Sequence, residues 1–267
     1  ASNNTAVGQA SLNRTTTGAN NTAVGKDALL LNTTGAYNTA VGRSALDANT
    51  EGLRNSALGN EAGGAITTGN NNVCIGHNAG NYQTMLTTGV NNVLVGSYLK
   101  TSASDSGNAT GLGYNISCEG GYTTLGNAAS DTRAAHGNAT WATVSDERYK
   151  KDIVDSTAGL SLVNSLQPRT FKYKTLGELP STFNAYEEGS TEVFKNSTTN
   201  HGFIAQEVKT AIDADAGIKD GFRMWDDRED GSQEVAESAL IPVLVKAIQE
   251  LSTKNDALVA RITALES

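Results

Sequence analysis

The sequence predicts a mainly β N-terminal half, a β-roll or β-solenoid of about 17-residue repeats, followed by an α+β domain that ends in a long coiled-coil helix. Three observations predict it. A pentapeptide recurs at fixed spacing through the first half, the composition breaks near residue 144, and the last segment repeats apolar residues every seven positions.

Asn4-Thr5-Ala6-Val7-Gly8 returns as Asn21-Thr22-Ala23-Val24-Gly25 and Asn38-Thr39-Ala40-Val41-Gly42, and weaker copies end at Gly59, Gly76, Gly96, Gly113 and Gly126. The successive spacings are 17, 17, 17, 17, 20, 17 and 13 residues, and such self-similarity marks a stacked repeat architecture. A second glycine, at Gly18, Gly35, Gly52, Gly69, Gly89 and Gly107, divides each unit into two legs. Thr-Ala-Val alternates as a strand does, with Thr and Val on one face and Ala on the other. Gly and Asn are expected at corners with φ > 0. One coil per repeat would bury a ladder of Val, Leu and Ala that no single repeat could bury alone. A coil so rich in glycine has a thin core, which predicts that chains share one in an oligomer.

Residues 1–144 hold 21 of the 28 Gly, no Pro and 13 charged residues, whereas residues 145–267 hold all 3 Pro and 35 charged residues. This shift sets two domains, 1–144 and 145–267. The net charge of −8 argues against nucleic-acid binding. No apolar run approaches 18 residues, so no membrane insertion is expected. The two cysteines, Cys74 and Cys118, are too few for a disulfide scaffold, and Cys74 with His77 makes no metal cluster. No cofactor is expected. The repeats lack paired carboxylates at strand spacing, which leaves glycan hydrolysis without its acid and base, and Trp141 and Trp225 are isolated rather than a sugar platform. The lack of an N-terminal Met and of a signal peptide is expected of a segment of a longer chain.

In the last segment Ile241, Ile248, Asn255 and Ile262 recur every seven residues, and Leu244, Leu251, Leu258 and Leu265 follow three positions later. This is an a/d seam on a helix over about 237–267, narrower than the stripe of a helix packed on its own domain. Ile at a with Leu at d points by itself to two strands, and Asn255 at an a position sets register. Pro242 suits the first turn.

The pattern Asn-Thr-Ala-Val-Gly-x-x-Ala-Leu resembles the left-handed β-roll repeats of trimeric autotransporter adhesin heads and repeats of bacteriophage tail fibres, over about residues 3–127. Four blocks in the second half resemble, in order, the intramolecular chaperone domain of phage tailspikes and tail fibres, the peptidase S74 family. They are Ser145-Asp146-Glu147-Arg148-Tyr149-Lys150, Leu166-Gln167-Pro168-Arg169-Thr170-Phe171, Gly202-Phe203-Ile204-Ala205-Gln206-Glu207-Val208, and Leu240 to Leu251. The resemblance implies a homotrimer whose C-terminal domain promotes trimerisation and folding and then cuts itself off. It implies a Ser145–Lys150 dyad, cleavage at Val144–Ser145, and His201 as a further candidate. It also implies a tail fibre of the virion, assembled in the bacterial cytoplasm and joined to upstream fibre segments, with a host cell-surface receptor or glycan as partner of the shaft. The alternative is a host-binding trimeric adhesin whose C-terminal domain trimerises without being cut.

The residue types suit the chemistry. A serine hydroxyl attacks once a base takes its proton, and lysine can be that base when burial or nearby cations lower its pKa toward ~7–8. Arg148 and Lys151 favour such a shift, while Asp146 and Glu147 oppose it. A +5 spacing lies ~140° apart on an ideal helix, so Ser145 must sit outside or at the end of one to meet Lys150. A simpler role for Ser145-Asp146 is to cap a helix.

Overall fold

The computed structural model describes residues 1–267 apart from 129, 139, 144, 216, 219–221, 223 and 267. The chain divides into two compact units, Ala1–Lys150 and Lys151–Ser267.

The first unit is a β-solenoid. Strands β1 (Thr5–Val7), β2 (Thr22–Val24), β3 (Thr39–Val41), β4 (Ser56–Leu58), β5 (Val73–Ile75) and β6 (Val93–Ser97) pair in parallel. Ala23, Ala40, Ala57, Cys74 and Leu94 align as successive rungs. After β7 (Lys100–Thr101), the ladder continues through β8 (Thr110–Tyr114); β9 (Ser117–Cys118) pairs with β7; and β10 (Tyr122–Asn127) pairs with β8. The pair β7 and β9 gives the second leg a strand only in the later coils; in the earlier ones that leg is turns. Strands β11 (Ser130–Ala135) and β12 (Ala142–Thr143) then run antiparallel and close the sheet, so its last parallel strand is not left as an open edge.

The core differs from the expected ladder. Ala23, Ala40, Ala57 and Cys74 are buried on one side of the coil, and Leu29, Leu46, Ile66 and Leu86 fill it from the other. The valines face outward instead: Val7 is 57% exposed and its equivalents Leu58 and Leu112 are 52% and 54% exposed. The coil is narrow, and where Leu29, Leu46, Ile66 and Leu86 enter its interior the strand centre carries a small side chain, Ala or Cys; at β6 it carries Leu94. Alternation turns Val out.

The repeated asparagine also has a use beyond a corner. Asn21, Asn38, Asn55 and Asn72 are buried, and the backbone N–H of each of the last three donates to the side-chain Oδ1 of the one before, at 2.9, 2.9 and 3.0 Å. The side-chain amides donate onward to glycine carbonyls, Asn38 to Gly52 at 2.8 Å and Asn55 to Gly69 at 2.8 Å. Several corners with φ > 0 are neither Gly nor Asn: Leu29, Leu46, Tyr37, Arg54 and Glu61 all adopt the left-handed region. Hydrogen bonds between adjacent coils hold them there, such as Leu29 N–H to the Ala45 carbonyl at 3.0 Å and Glu61 N–H to the Arg43 carbonyl at 2.8 Å. Tertiary bonding overrides local preference at these sites.

The glycine that ends each strand is required by crowding. At Gly59, φ is +134°, and an added Cβ would lie 2.7 Å from the Gly76 carbonyl oxygen and 2.8 Å from its carbon, both backbone atoms. Gly59→Ala is expected to destabilise the solenoid by about 3 kcal/mol or more. Hydrogen exchange of amides in the neighbouring coils checks this; protection equal to wild type would contradict the close-stacking account.

The second unit begins with α1 (Leu160–Ser165), followed by β13 (Arg169–Phe171), which pairs antiparallel with β14 (Asn200–Gly202). Helix α2 (Ala205–Ala214), the hairpin β15 (Trp225–Asp227) with β16 (Gln233–Val235), and α3 (Leu240–Glu266) complete it. Its core gathers Ala158, Leu162, Val208, Ile212, Met224, Leu240 and Val243. The carboxylate of Glu207 on α2 takes both Nε (2.9 Å) and Nη2 (2.7 Å) of Arg169 on β13, so the second and third sequence blocks are tied together. Helix α3 buries Leu240, Val243 and Ala247, whereas from Leu251 onward every described residue is exposed.

Candidate active site

The site is a short turn at the end of the first unit. A single 3-10 turn, Glu147–Tyr149, separates Ser145 from Lys150. Asp146 caps it: its Oδ1 accepts from the backbone N–H of Arg148 at 2.9 Å. The guanidinium of Arg148 folds back onto the same carboxylate, with Nε to Oδ1 at 2.9 Å and Nη2 to Oδ2 at 2.6 Å. At the other end the Lys150 N–H donates to the Glu147 carbonyl at 2.8 Å, and Lys150 continues in extended backbone. Ser145 and Lys150 thus lie just outside the two ends of one tight turn, and Lys150 Nζ donates to Ser145 Oγ at 2.8 Å. The +5 spacing is satisfied by a turn tighter than an α-helix. Capping and the Ser–Lys contact coexist, because the cap is Asp146 and not Ser145.

The electrostatics are decided by the cap. The side-chain hydrogen bonds from Arg148, and then its backbone N–H, hold the Asp146 carboxyl below the usual carboxylate range. That pairing is present at any pH above the ordinary range and is lost as pH falls through the lowered value. Arg148 is therefore engaged with Asp146 rather than free to bear on Lys150. Ser145, Arg148, Tyr149 and Lys150 are all exposed.

Of the candidates, Ser145 and Lys150 are the pair held in hydrogen-bond contact. Val144, the residue before the candidate cut, lies outside the described residues. His201 belongs to the other unit, exposed on β14 opposite Thr170. Gln206 is exposed, while Glu207 serves the Arg169 pairing. Cys74 lies in the solenoid core, where burial pushes its thiol up to about 12, and His77 packs edge-on against Tyr98 with ring centroids 4.9 Å apart. Among the described residues no group of three His, Cys, Asp or Glu could hold a metal. No described helix is long and apolar enough to cross a membrane. Sequence reasoning missed the Arg148–Asp146 clamp. Its signal was the Asp-x-Arg spacing across a single turn.

The chain thus combines a β-solenoid with an α+β unit that ends in a long helix, and the serine–lysine pair falls at the end of the solenoid unit. Residues 145–218 match a family model, Peptidase S74, described as chaperone of endosialidase, and the match begins at the candidate serine. The resemblance to a phage tail fibre or tailspike is borne out by this match together with the solenoid. No curated protein and no solved structure matches the chain.

Proposed function

We propose that the chain is the C-terminal part of a phage tail fibre, whose second unit brings three chains together, guides the stacking of the shaft and then releases itself at Val144–Ser145. The observation that carries this reading is the 2.8 Å contact of Lys150 Nζ with Ser145 Oγ, within the reach that proton transfer to a general base requires. Deprotonated Lys150 takes the proton of Ser145 Oγ as the oxygen attacks the Val144 carbonyl carbon. The Val144–Ser145 peptide bond breaks, Lys150 returns the proton to the leaving amine of Ser145, and an ester joins Val144 to Oγ. Water then hydrolyses that ester, leaving a carboxylate on Val144 and a free hydroxyl on Ser145. Each chain reacts once.

Association rests on α3. Its seam residues Ile241, Leu244, Ile248, Leu251, Leu258, Ile262 and Leu265 are exposed in the single chain, a row of apolar surface that three helices would bury together. Trimer rather than dimer follows the fibre reading. Identical 17-residue repeats can stack out of register by one unit, and a domain that aligns the chains removes that freedom. Once the shaft has closed, loss of the domain leaves it kinetically locked. The shaft then belongs to the virion, continues upstream fibre segments and meets a host cell-surface receptor or glycan.

In the single chain Ser145 and Lys150 are both exposed, and packing of the assembled chains is what would exclude water from the pair. Cleavage is therefore expected to follow assembly. The same exposure favours a second reading, an adhesin whose C-terminal domain trimerises and is never cut. Refolding over about a hundredfold range of chain concentration tests both. The first reading expects cleavage to start sooner at higher concentration. Cleavage at one rate throughout would overturn the dependence on assembly, and no cleavage at all would favour the adhesin.

A further inference from the structure

One coil of the solenoid is enlarged, and it carries a cluster of aromatic rings. The Gly63 carbonyl accepts from the Ile66 N–H, three residues on, at 2.9 Å. At the same place in the next coil the Gly80 carbonyl accepts from the Leu86 N–H, six residues on, at 3.0 Å. The closure spans three more residues, which is the origin of the single spacing of 20 where its neighbours are 17. The added segment holds Tyr82 and Gln83, and Lys100 Nζ from the following coil donates to Gln83 Oε1 and braces it. Tyr98 is the hub of the cluster. Its ring centroid lies 4.9 Å from that of His77, 5.1 Å from Tyr82 and 5.8 Å from Tyr114, with the planes crossing at 86°, 69° and 87°. An edge-on contact covers at most one face of a ring, and Tyr114 is 50% exposed. Among the described residues nothing hydrogen-bonds to the hydroxyls of Tyr82, Tyr98 and Tyr114.

We propose that this cluster is a carbohydrate-binding platform, whose ligand is an uncharged hexopyranose oligosaccharide. The proposal rests on the fibre reading and gives its host-surface partner a place and a chemical class. Three features select a glycan. A pyranose carries C–H groups on its faces and hydroxyls round its rim, so it needs an apolar ring face with donors and acceptors beside it. The half-exposed Tyr114 ring supplies the face, and the unengaged phenolic hydroxyls supply the polar groups. The rings are already held against one another, so little freedom is lost on binding. Second, the margin is polar but carries no free charge. Ser97 and Asn115 flank the rings, and Lys100 is engaged with Gln83, which suits a neutral ligand. Third, the cluster does not repeat. The backbone bond from Tyr98 N–H to the His77 carbonyl has counterparts from Asp27 to Gln9, Ser44 to Lys26 and Glu61 to Arg43. No aromatic stands at those earlier positions, so a copy of the chain presents no matching row. At about 4.8 Å per coil the three coils involved span about 10 Å, the reach of a short oligosaccharide.

Binding of the assembled protein to an array of glucose, galactose, mannose and N-acetylglucosamine oligosaccharides tests it, beside Tyr114→Ala, Tyr114→Phe and Tyr37→Ala. Tyr37 is 58% exposed and lies on an earlier coil, over Arg54 rather than in the cluster. Wild type is expected to bind at least one of the four sugars. Tyr114→Ala is expected to weaken that binding by about tenfold or more, and Tyr114→Phe, which keeps the ring, by no more than about threefold. Tyr37→Ala is expected to bind as wild type does. A readout without any variant is NMR saturation of the tyrosine ring protons, which is expected to pass to the C–H protons of the bound sugar. No binding to any of the four overturns the proposal, as do binding without saturation transfer and a loss in Tyr37→Ala equal to that in Tyr114→Ala. Light scattering of the same sample checks the fibre reading separately. Several chains per particle with no sugar bound leave that reading standing, whereas a single-chain mass removes it.

Discussion

Ser145→Ala is expected to leave the chain whole, slowing cleavage by at least about a thousandfold. Ser145 Oγ is the hydroxyl that Lys150 Nζ contacts, so its removal leaves the base without a partner in the turn. Lys150→Met removes the base while keeping a side chain of similar length, and it is expected to block cleavage to a similar degree. Both positions are exposed, so neither change disturbs a core. Circular dichroism and assembly mass are expected to match wild type while the chain stays uncut on a denaturing gel. Cleavage of Lys150→Met at the wild-type rate would remove the lysine from the mechanism.

The second large effect is at the helix seam. Leu251→Lys is expected to abolish association while leaving the single chain folded, because Leu251 is half exposed and is not among the residues that form its own unit's core. Burying a leucine contributes about 2 kcal/mol. Three copies then lose about 6 kcal/mol, roughly four decades in the assembly constant, before the cost of burying three ammonium groups. Light scattering is expected to drop from about three chains per particle to one. An unchanged mass would put the interface elsewhere. Because cleavage follows assembly in this account, Leu251→Lys is also expected to stay uncut with its Ser145 and Lys150 intact.

Much of this fold is legible in the residues. The 17-residue spacing of Gly8, Gly25, Gly42 and Gly59 became a stack of coils because each glycine backs directly onto the next, leaving no room for a Cβ. The direction of the strand faces was not legible. Thr-Ala-Val alternates equally well with Val in or out, and the choice falls to Leu29 and Leu46, which enter the same narrow interior from another part of the repeat. Nor could the left-handed corners at Leu46, Arg54 and Glu61 be read locally, since hydrogen bonds to the neighbouring coil hold them. The closing strands β11 and β12 fall where the repeat has run out and no period remains to reveal them. At the site, the pairing of Ser145 with Lys150 was legible only through the family resemblance, since the local residues read equally as a helix cap. The tight turn that joins them was hidden, because it depends on Asp146 serving as cap and as partner of Arg148 at once.

The measurement that bears most directly on self-release is the intact mass of the folded, assembled protein, with the N-terminus of the smaller piece determined. The account predicts two polypeptides that together make up the 27.8 kDa chain plus one water, the smaller beginning at Ser145. A fully assembled particle in which every chain stays at 27.8 kDa would contradict it.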